Sequence, residues 1–501
     1  MRTINRINLE EMKGIGSLLI LLFCVGVVLP SFARQKEKRD YVILASSLVK
    51  NDTEWMNVVN VLQKKHGAEV LFYDKSPVEK QAELKALYPR YVAVVEKPEQ
   101  LGREFVMEFH RMSRDMDEDI YEDFLWGIIT GYDAAGALKM VNNSTEPLVI
   151  RDAVSSITEL KSAKWFDHYG WVDDHERHVC GEKDGKEAPV NEGSIEVSAI
   201  HTFSDLYAKY DPDLVVTAFH ATEGNLIMPF YEGSFNCKDG KLIANPSSGK
   251  AKPWELQESG KRRVYFAVGN CLIGNVNNTR ESMAIAWMNS ANAATMIGYV
   301  VTTWHGRAGW GALKYWLTYA GEYTLAEAVF INQQDFLHQQ HEWYPSLYRE
   351  NYPFEAKYRE IQVAEKRLQE VLGRKPSLDE TGFWHDRDVL AYYGDPKWNV
   401  RLQDIPEKND FTVTSKVKGK KCVVTIKTGE NFNLQRMKGD NWKAEHVLDL
   451  PFSYFFPERL KNPRLAVGQD WKVALDENFL LVYNCDFEPN KTYQVILDID
   501  K

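Results

Sequence analysis

The stretch VYFAVGNCLIG, residues 264–274, runs five apolar or aromatic residues into Gly269 and Asn270 and then presents a thiol, Cys271. A second apolar run, DLVVTAF over residues 213–219, ends in the imidazole of His220. A thiolate is the nucleophile in cysteine chemistry, and a neighbouring imidazole lowers the thiol pKa or accepts its proton. Ligands of open α/β sheets bind beyond the carboxyl ends of the strands. Two adjacent strands ending in these residues would therefore set Cys271 and His220 facing each other across such a crevice. Acyl transfer also needs backbone N–H groups aimed at the developing oxyanion, and the amides of Cys271 and Ala221 are the candidates. Singly, each residue has a plainer reading, Cys271 as a small buried hydrophobe and His220 as a satisfied core histidine. The pairing favours chemistry.

Positioning the pair requires a parallel sheet. YVILASSLV (41–49), EVLFY (69–73), YVAVV (91–95) and ATMIGYVV (294–301) read as further strands. Between the first two, Trp55, Val58, Val59 and Leu62 fall on one helical face and Gly67 supplies the stop. Alternating strands and helices imply an α/β fold, a mostly parallel sheet flanked by helices. A helix is expected around Met283 to Ala293, and others over 324–342 and 355–372. Residues 175–195 and 236–262, rich in Gly, Lys, Asn, Ser and Pro, read as surface loops. After residue 404 the pattern changes to short alternating strands, FTVTSKV, CVVTIKT, FLLVYNC and YQVILDI, which imply a β-sandwich over 405–501.

The chain of 501 residues is 44% hydrophobic with a net charge of −10, enough for a large core and opposed to a nucleic-acid or anionic-membrane partner. Arg2, Arg6 and Lys13 precede SLLILLFCVGVVL and then PSFA, the pattern of an export signal cleaved after Ala33. The expectation is export to the periplasm, cell surface or medium, with no membrane span in the mature chain. Past the signal stand Cys180, Cys237, Cys271, Cys422 and Cys485. An odd count leaves one thiol over. Cys422 with Cys485 and Cys180 with Cys237 are the pairings open, leaving Cys271.

VVTAFHATEGN and YFAVGNCLIG resemble the strand-His-Gly-Ser-Glu-Thr and strand-Gly-Asn-Cys segments of the gingipain family, cysteine peptidases of caspase-like fold. WHGRAGWGALKYW (304–316) is similar to that family's tryptophan-rich pocket loop. YYGDP (392–396) resembles the motif closing its catalytic domain before an immunoglobulin-like module. The resemblance implies a caspase-like α/β region, an N-terminal subdomain over 34–150 and a catalytic one over 151–404, followed by an immunoglobulin-like sandwich. It implies hydrolysis of a protein or peptide substrate through an acyl-enzyme, with no required cofactor and room for a structural calcium without assigned ligands. MDEDIYEDFLWG (116–127) is similar to the family's Asp-containing stretch, which makes Asp119 and Asp123 candidates to orient His220. Glu223, Asn270, Trp304 and Trp310 are the candidate substrate-pocket residues.

Two departures stand out. Ala221 follows His220 where glycine is usual, so the oxyanion amide is expected to need a backbone angle alanine tolerates less well. The acidic residue that the family's Lys-directed members carry shortly after the pocket tryptophan is missing from Trp310-Gly311-Ala312-Leu313, which removes that ground for a basic-side-chain preference. The alternative from another class is a non-catalytic binding or adhesion protein keeping the same fold. A third reading, metal-dependent hydrolysis, would use His175, His178 and Cys180 in HERHVC or His338 and His341 in HQQHE, though neither has the spacing of a known zinc motif.

Overall fold

The apolar runs assemble into one twelve-stranded sheet in the computed structural model, which describes residues 40–500 apart from 248–250, 304–305, 351–358, 406–407 and 440–446. The expected export signal and Trp304 lie outside the described residues. In chain order the strands are β1 (Tyr41–Ser46), β2 (Glu69–Tyr73), β3 (Tyr91–Val95), β4 (Leu125–Ile129), β5 (Asp152–Ser155) and β6 (His168–Val172). They continue with β7 (Val179–Asp184), β8 (Asn191–Ser194), β9 (Leu214–Thr217), β10 (Arg263–Ala267), β11 (Ala293–Tyr299) and β12 (Leu390–Gly394). Their spatial order is β2-β1-β3-β4-β12-β11-β10-β9-β5-β6-β7-β8.

β1 to β4 are mutually parallel, as are β5, β6, β9, β10 and β11. β12 joins the two sets, parallel to β4 and antiparallel to β11. The two halves therefore run in opposite directions. This puts the segment just before β12 at the edge where β9, β10 and β11 end. The sheet passes unbroken through position 150, where the sequence reading divides two subdomains, because β12 is inserted from far down the chain.

The helix Thr53–His66 forms as its spacing demands. Asp52 caps its first turn, Trp55, Val58, Val59 and Leu62 are buried, and Gly67 ends it at φ 61°. That left-handed angle costs glycine nothing. The expected helix at Met283 closes at Asn289, and Leu325–Trp343 and Glu360–Leu372 are helical. Beyond the α/β region lie two antiparallel sheets. One pairs Phe411–Lys418, Lys421–Thr428, Thr492–Asp498 and Arg464–Leu465, and the other Phe452–Phe455, Phe479–Val482 and Val473–Asp476. Cys422, Val424, Phe452, Leu480 and Val495 belong to the core between them. Among the described residues no helix is long and apolar enough to cross a membrane.

Four expectations need correction. The segment 175–195 carries β7 and β8, an antiparallel addition to the sheet edge. The segment 236–262 belongs to a small antiparallel sheet of Asn225–Ile227, Ser234–Lys238, Lys241–Asn245 and Trp254–Glu255. In the first, Asn191–Ser194 is exposed along its whole length and leaves no hydrophobic alternation to read; in the second, Lys241–Asn245 buries alternate residues, Leu242 and Ala244, inside a segment otherwise rich in turn-forming residues. The tryptophan-rich stretch is mostly not a loop, since Arg307–Thr318 is helical. All five thiols past the expected signal are free, so neither open pairing is formed.

Candidate active site

β9 and β10 are hydrogen-bonded neighbours in parallel register, Leu214 opposite Val264 through Thr217 opposite Ala267. The chain leaves β9 through Ala218 and Phe219 to His220, and leaves β10 through Val268, Gly269 and Asn270 to Cys271. Asn270 ties these exits together. It is fully buried, accepts from the Thr217 hydroxyl at 2.8 Å and donates from its Nδ2 to the Phe219 carbonyl at 3.0 Å. Both ends of its amide are thus spent on the end of β9 and the turn that leads to His220. Phe219 adopts φ 106° and Leu272, just after the cysteine, φ 59°. Non-glycine residues at such angles cost of order 1–3 kcal/mol and persist where their surroundings hold them. The Asn270 clamp holds the first.

Removing that clamp has a defined cost. Asn270→Ala leaves the Phe219 carbonyl without its donor, and denaturant unfolding is expected to show a loss of about 1–3 kcal/mol.

The Cys271 Sγ accepts from the Thr303 N–H at 3.3 Å and lies 3.7 Å from the Thr303 carbonyl, to which the thiol donates. Leu272 N–H to the Val301 carbonyl and Gly274 N–H to the Tyr299 carbonyl, both 2.9 Å, stitch the cysteine loop to the end of β11. Gly274 is required by this close approach, because a Cβ there would stand 2.2 Å from the Gly298 carbonyl oxygen. Burial pushes the Cys271 thiol up, with Asp386 adding to it, against the Thr303 amide that favours the thiolate. Asp386 is fully buried just ahead of β12. It accepts from the Tyr299 hydroxyl at 3.2 Å and the Ala308 N–H at 3.4 Å.

His220 is exposed, its ring beside those of Phe219 at 4.8 Å and Tyr231 at 5.6 Å. Among the described residues its imidazole makes no hydrogen bond to Cys271 or to a carboxylate. Ala221 forms an isolated bridge with Leu226, framed by Ile227 N–H to the His220 carbonyl and Thr222 N–H to the Asn225 carbonyl, both 2.9 Å. In that pattern the Ala221 N–H stays outside the ladder and is free to point elsewhere. Ala221 has a negative φ, so alanine meets no left-handed penalty there. The strained residue is Phe219 instead.

Trp310 lies on the Arg307–Thr318 helix, its indole nitrogen 3.1 Å from where a Cβ on Gly269 would sit. It flanks the turn into Cys271. The Glu223 carboxylate accepts from Asn275 Nδ2 at 3.1 Å and walls a cleft of about 450 Å³ whose lining also includes Leu272, Thr302, Glu104, Glu108 and Glu360. Asp119 and Asp123 are engaged elsewhere and make no contact with His220 among the described residues. The Asp123 carbonyl accepts from Arg459 at 3.0 Å and Asn478 at 3.1 Å, and its buried carboxyl is pushed up to about 9 by desolvation and by Asp117, Asp119 and Glu477. The Asp119 Oδ1 accepts from the Tyr121 N–H at 2.7 Å, and burial raises that carboxyl to about 7.

The histidine clusters are spread out. His178 faces Glu232 at 3.4 Å, and His338 bonds the Tyr121 hydroxyl at 2.9 Å and stacks on Tyr483. Residue reading missed Thr303, which bonds the Cys271 sulfur from beyond β11, and Asp386, whose charge ahead of β12 raises the thiol, because neither carries a local motif.

Two structural neighbours are gingipain R. One is the complex of the RgpB pro- and mature domains from Porphyromonas gingivalis, at TM-score 0.43 and 8% identity, covering 92% of this chain and 93% of that one. The other is the Arg-specific cysteine proteinase gingipain R, at TM-score 0.43 and 8% identity, covering 93% of both chains. A third is a protease at TM-score 0.33 and 9% identity, over 78% of this chain and 85% of that one. No protein-family model and no curated protein matches the chain.

Proposed function

We propose that the chain is a cysteine endopeptidase acting on protein or peptide substrates through Cys271 and His220. The observation that carries the reading is the pair of register-matched parallel strands ending in a histidine and a cysteine, with Asn270 bridging their exits. The Cys271 sulfur attacks the scissile carbonyl carbon while its proton passes to His220. The amides of Cys271 and Ala221 hold the oxyanion. His220 then protonates the departing amine as the C–N bond breaks, leaving a thioester on Cys271. Water, deprotonated by His220, cleaves the thioester and restores the thiol. Trp310 and Glu223 flank the entering chain. The same reading takes residues 1–33 as an export signal and the C-terminal pair of sheets as immunoglobulin-like, so substrate is met outside the cytoplasm.

A binding protein of the same fold is the second reading, favoured by the raised Cys271 thiol and by the absence of a hydrogen bond from it to His220 among the described residues. Two reagents separate them. Iodoacetamide is expected to alkylate Cys271 more slowly than free cysteine at pH 7, the rate climbing as pH passes the ordinary thiol value of about 8.5, because a raised pKa leaves less thiolate. A peptidyl acyloxymethyl ketone that fills the cleft is expected to add once, at Cys271, in the wild type and not in His220→Ala, as intact mass reports. Slow alkylation with no ketone adduct would make the binding protein the better account.

A further inference from the structure

Tyr231 stands beside His220 on strained backbone. In the turn Pro229–Tyr231, Phe230 and Tyr231 adopt φ 59° and 61° in succession. Residues with a Cβ avoid that left-handed region, and such angles persist only where the surroundings impose them. Here they are imposed through Glu232. Its buried carboxylate accepts from the Ala199 N–H at 3.2 Å, where the helix Ala199–Tyr210 begins, and from Arg177 Nε at 3.0 Å. Its carbonyl accepts from the Ile200 N–H at 3.1 Å, and the Gly233 carbonyl accepts from the Met228 N–H at 2.9 Å, which closes the turn. The turn so fastened holds out a side chain that is 61% exposed and whose hydroxyl makes no hydrogen bond among the described residues. Its ring meets Phe219 edge-on at 5.5 Å and His220 at 5.6 Å. An exposed ring adds little to a core, so packing does not account for the strain.

The place beside His220 says what the ring would meet. A group that protonates a departing amine must come within about 3 Å of that nitrogen. The side chain of the residue carrying the amine branches one bond further on, so it is the part of the leaving peptide that lies nearest the imidazole and the Tyr231 ring next to it. We propose, resting on the peptidase reading, that Tyr231 selects the first residue after the scissile bond, its ring and that of Phe219 packing on a large apolar or aromatic side chain there. Tyrosine suits the task, presenting a broad apolar face with few torsions to freeze. The negative ring faces disfavour a carboxylate, and the imidazolium formed on His220 during acylation repels a cation. Neutral apolar groups are what remain.

The test uses the full chain and internally quenched peptides identical except for Phe or Gly after the cut, built on the acyl sequence whose acyloxymethyl ketone labels Cys271 fastest. The wild type is expected to show kcat/KM about tenfold higher for the Phe peptide than for the Gly peptide. Tyr231→Phe is expected to keep that ratio, and Tyr231→Ala and Tyr231→Gly to bring it within about twofold of unity. Tyr231→Gly, relieved of the left-handed strain, is expected to melt at or above the wild-type temperature. Its lost ratio would then not come from unfolding, which lowers turnover of both peptides together. A wild type that takes the ketone but cleaves both peptides equally well overturns the proposal and leaves the peptidase reading standing, as does a ratio that survives in Tyr231→Gly. A wild type that neither takes any ketone nor cleaves any peptide overturns that reading and the proposal with it.

Discussion

Cys271→Ala is expected to abolish peptide-bond hydrolysis, a fall of about 10⁶ in kcat on the scale of nucleophile removal in peptidases. The fold should survive. The cysteine is half-buried at a strand exit, its contacts to Thr303 are weak sulfur hydrogen bonds, and the backbone ties of Leu272 and Gly274 to β11 do not involve its side chain. A shift within about 1 kcal/mol is expected in unfolding. Fluorogenic peptide turnover alongside thermal melting checks both halves. Residual turnover near the wild-type rate would remove Cys271 from the chemistry. Loss of fold would show that the thiol serves the core.

The strand exits that deliver Cys271 and His220 were legible because β9 and β10 are buried on both faces and so read as continuous apolar runs. The Thr53–His66 helix was legible for the complementary reason, having one buried face and a glycine stop. The edge hairpin was hidden. Asn191–Ser194 is exposed along its whole length and held by backbone pairing, which no side-chain pattern announces. The tryptophan-rich segment misled through its glycines. Gly309 and Gly311 are helical positions where a Cβ would stand 2.3 Å from the Val268 carbonyl oxygen and 2.1 Å from Asn332 Oδ1. They are there for close packing rather than for a turn. Asp123 misled in another way, since the residues that gather around it come from the far end of the chain. An acidic run carries no mark of such partners.

The motif YYGDP reaches its meaning only in three dimensions, and it supports the second large effect. Asp395 is fully buried at the end of β12. It accepts from the Tyr41 hydroxyl at 2.9 Å, the Lys397 N–H at 3.0 Å, His66 Nε2 at 2.7 Å and the Lys65 ammonium at 2.8 Å. One carboxylate thereby pins β1 and the Thr53–His66 helix to the strand that joins the two halves of the sheet. Burial alone would raise its pKa. The His66 hydrogen bond and the His66 and Lys65 charges outweigh that and hold it well below the ordinary carboxylate range. Asp395→Ala leaves the Lys65 ammonium and the Tyr41 hydroxyl facing a void, and a loss of about 3–5 kcal/mol is expected from breaking a buried pair on one side. The pH dependence has a definite sign. A carboxylate whose folded pKa is depressed contributes stability that is present above its unfolded value of about 3.9 and lost as pH falls through the folded one. Urea unfolding of wild type and Asp395→Ala should therefore differ most near neutrality, with the gap starting to narrow below about pH 4 and still narrowing well under pH 3. A gap that stays constant down to the most acidic conditions would mean that Asp395 acts through shape alone, without its charge.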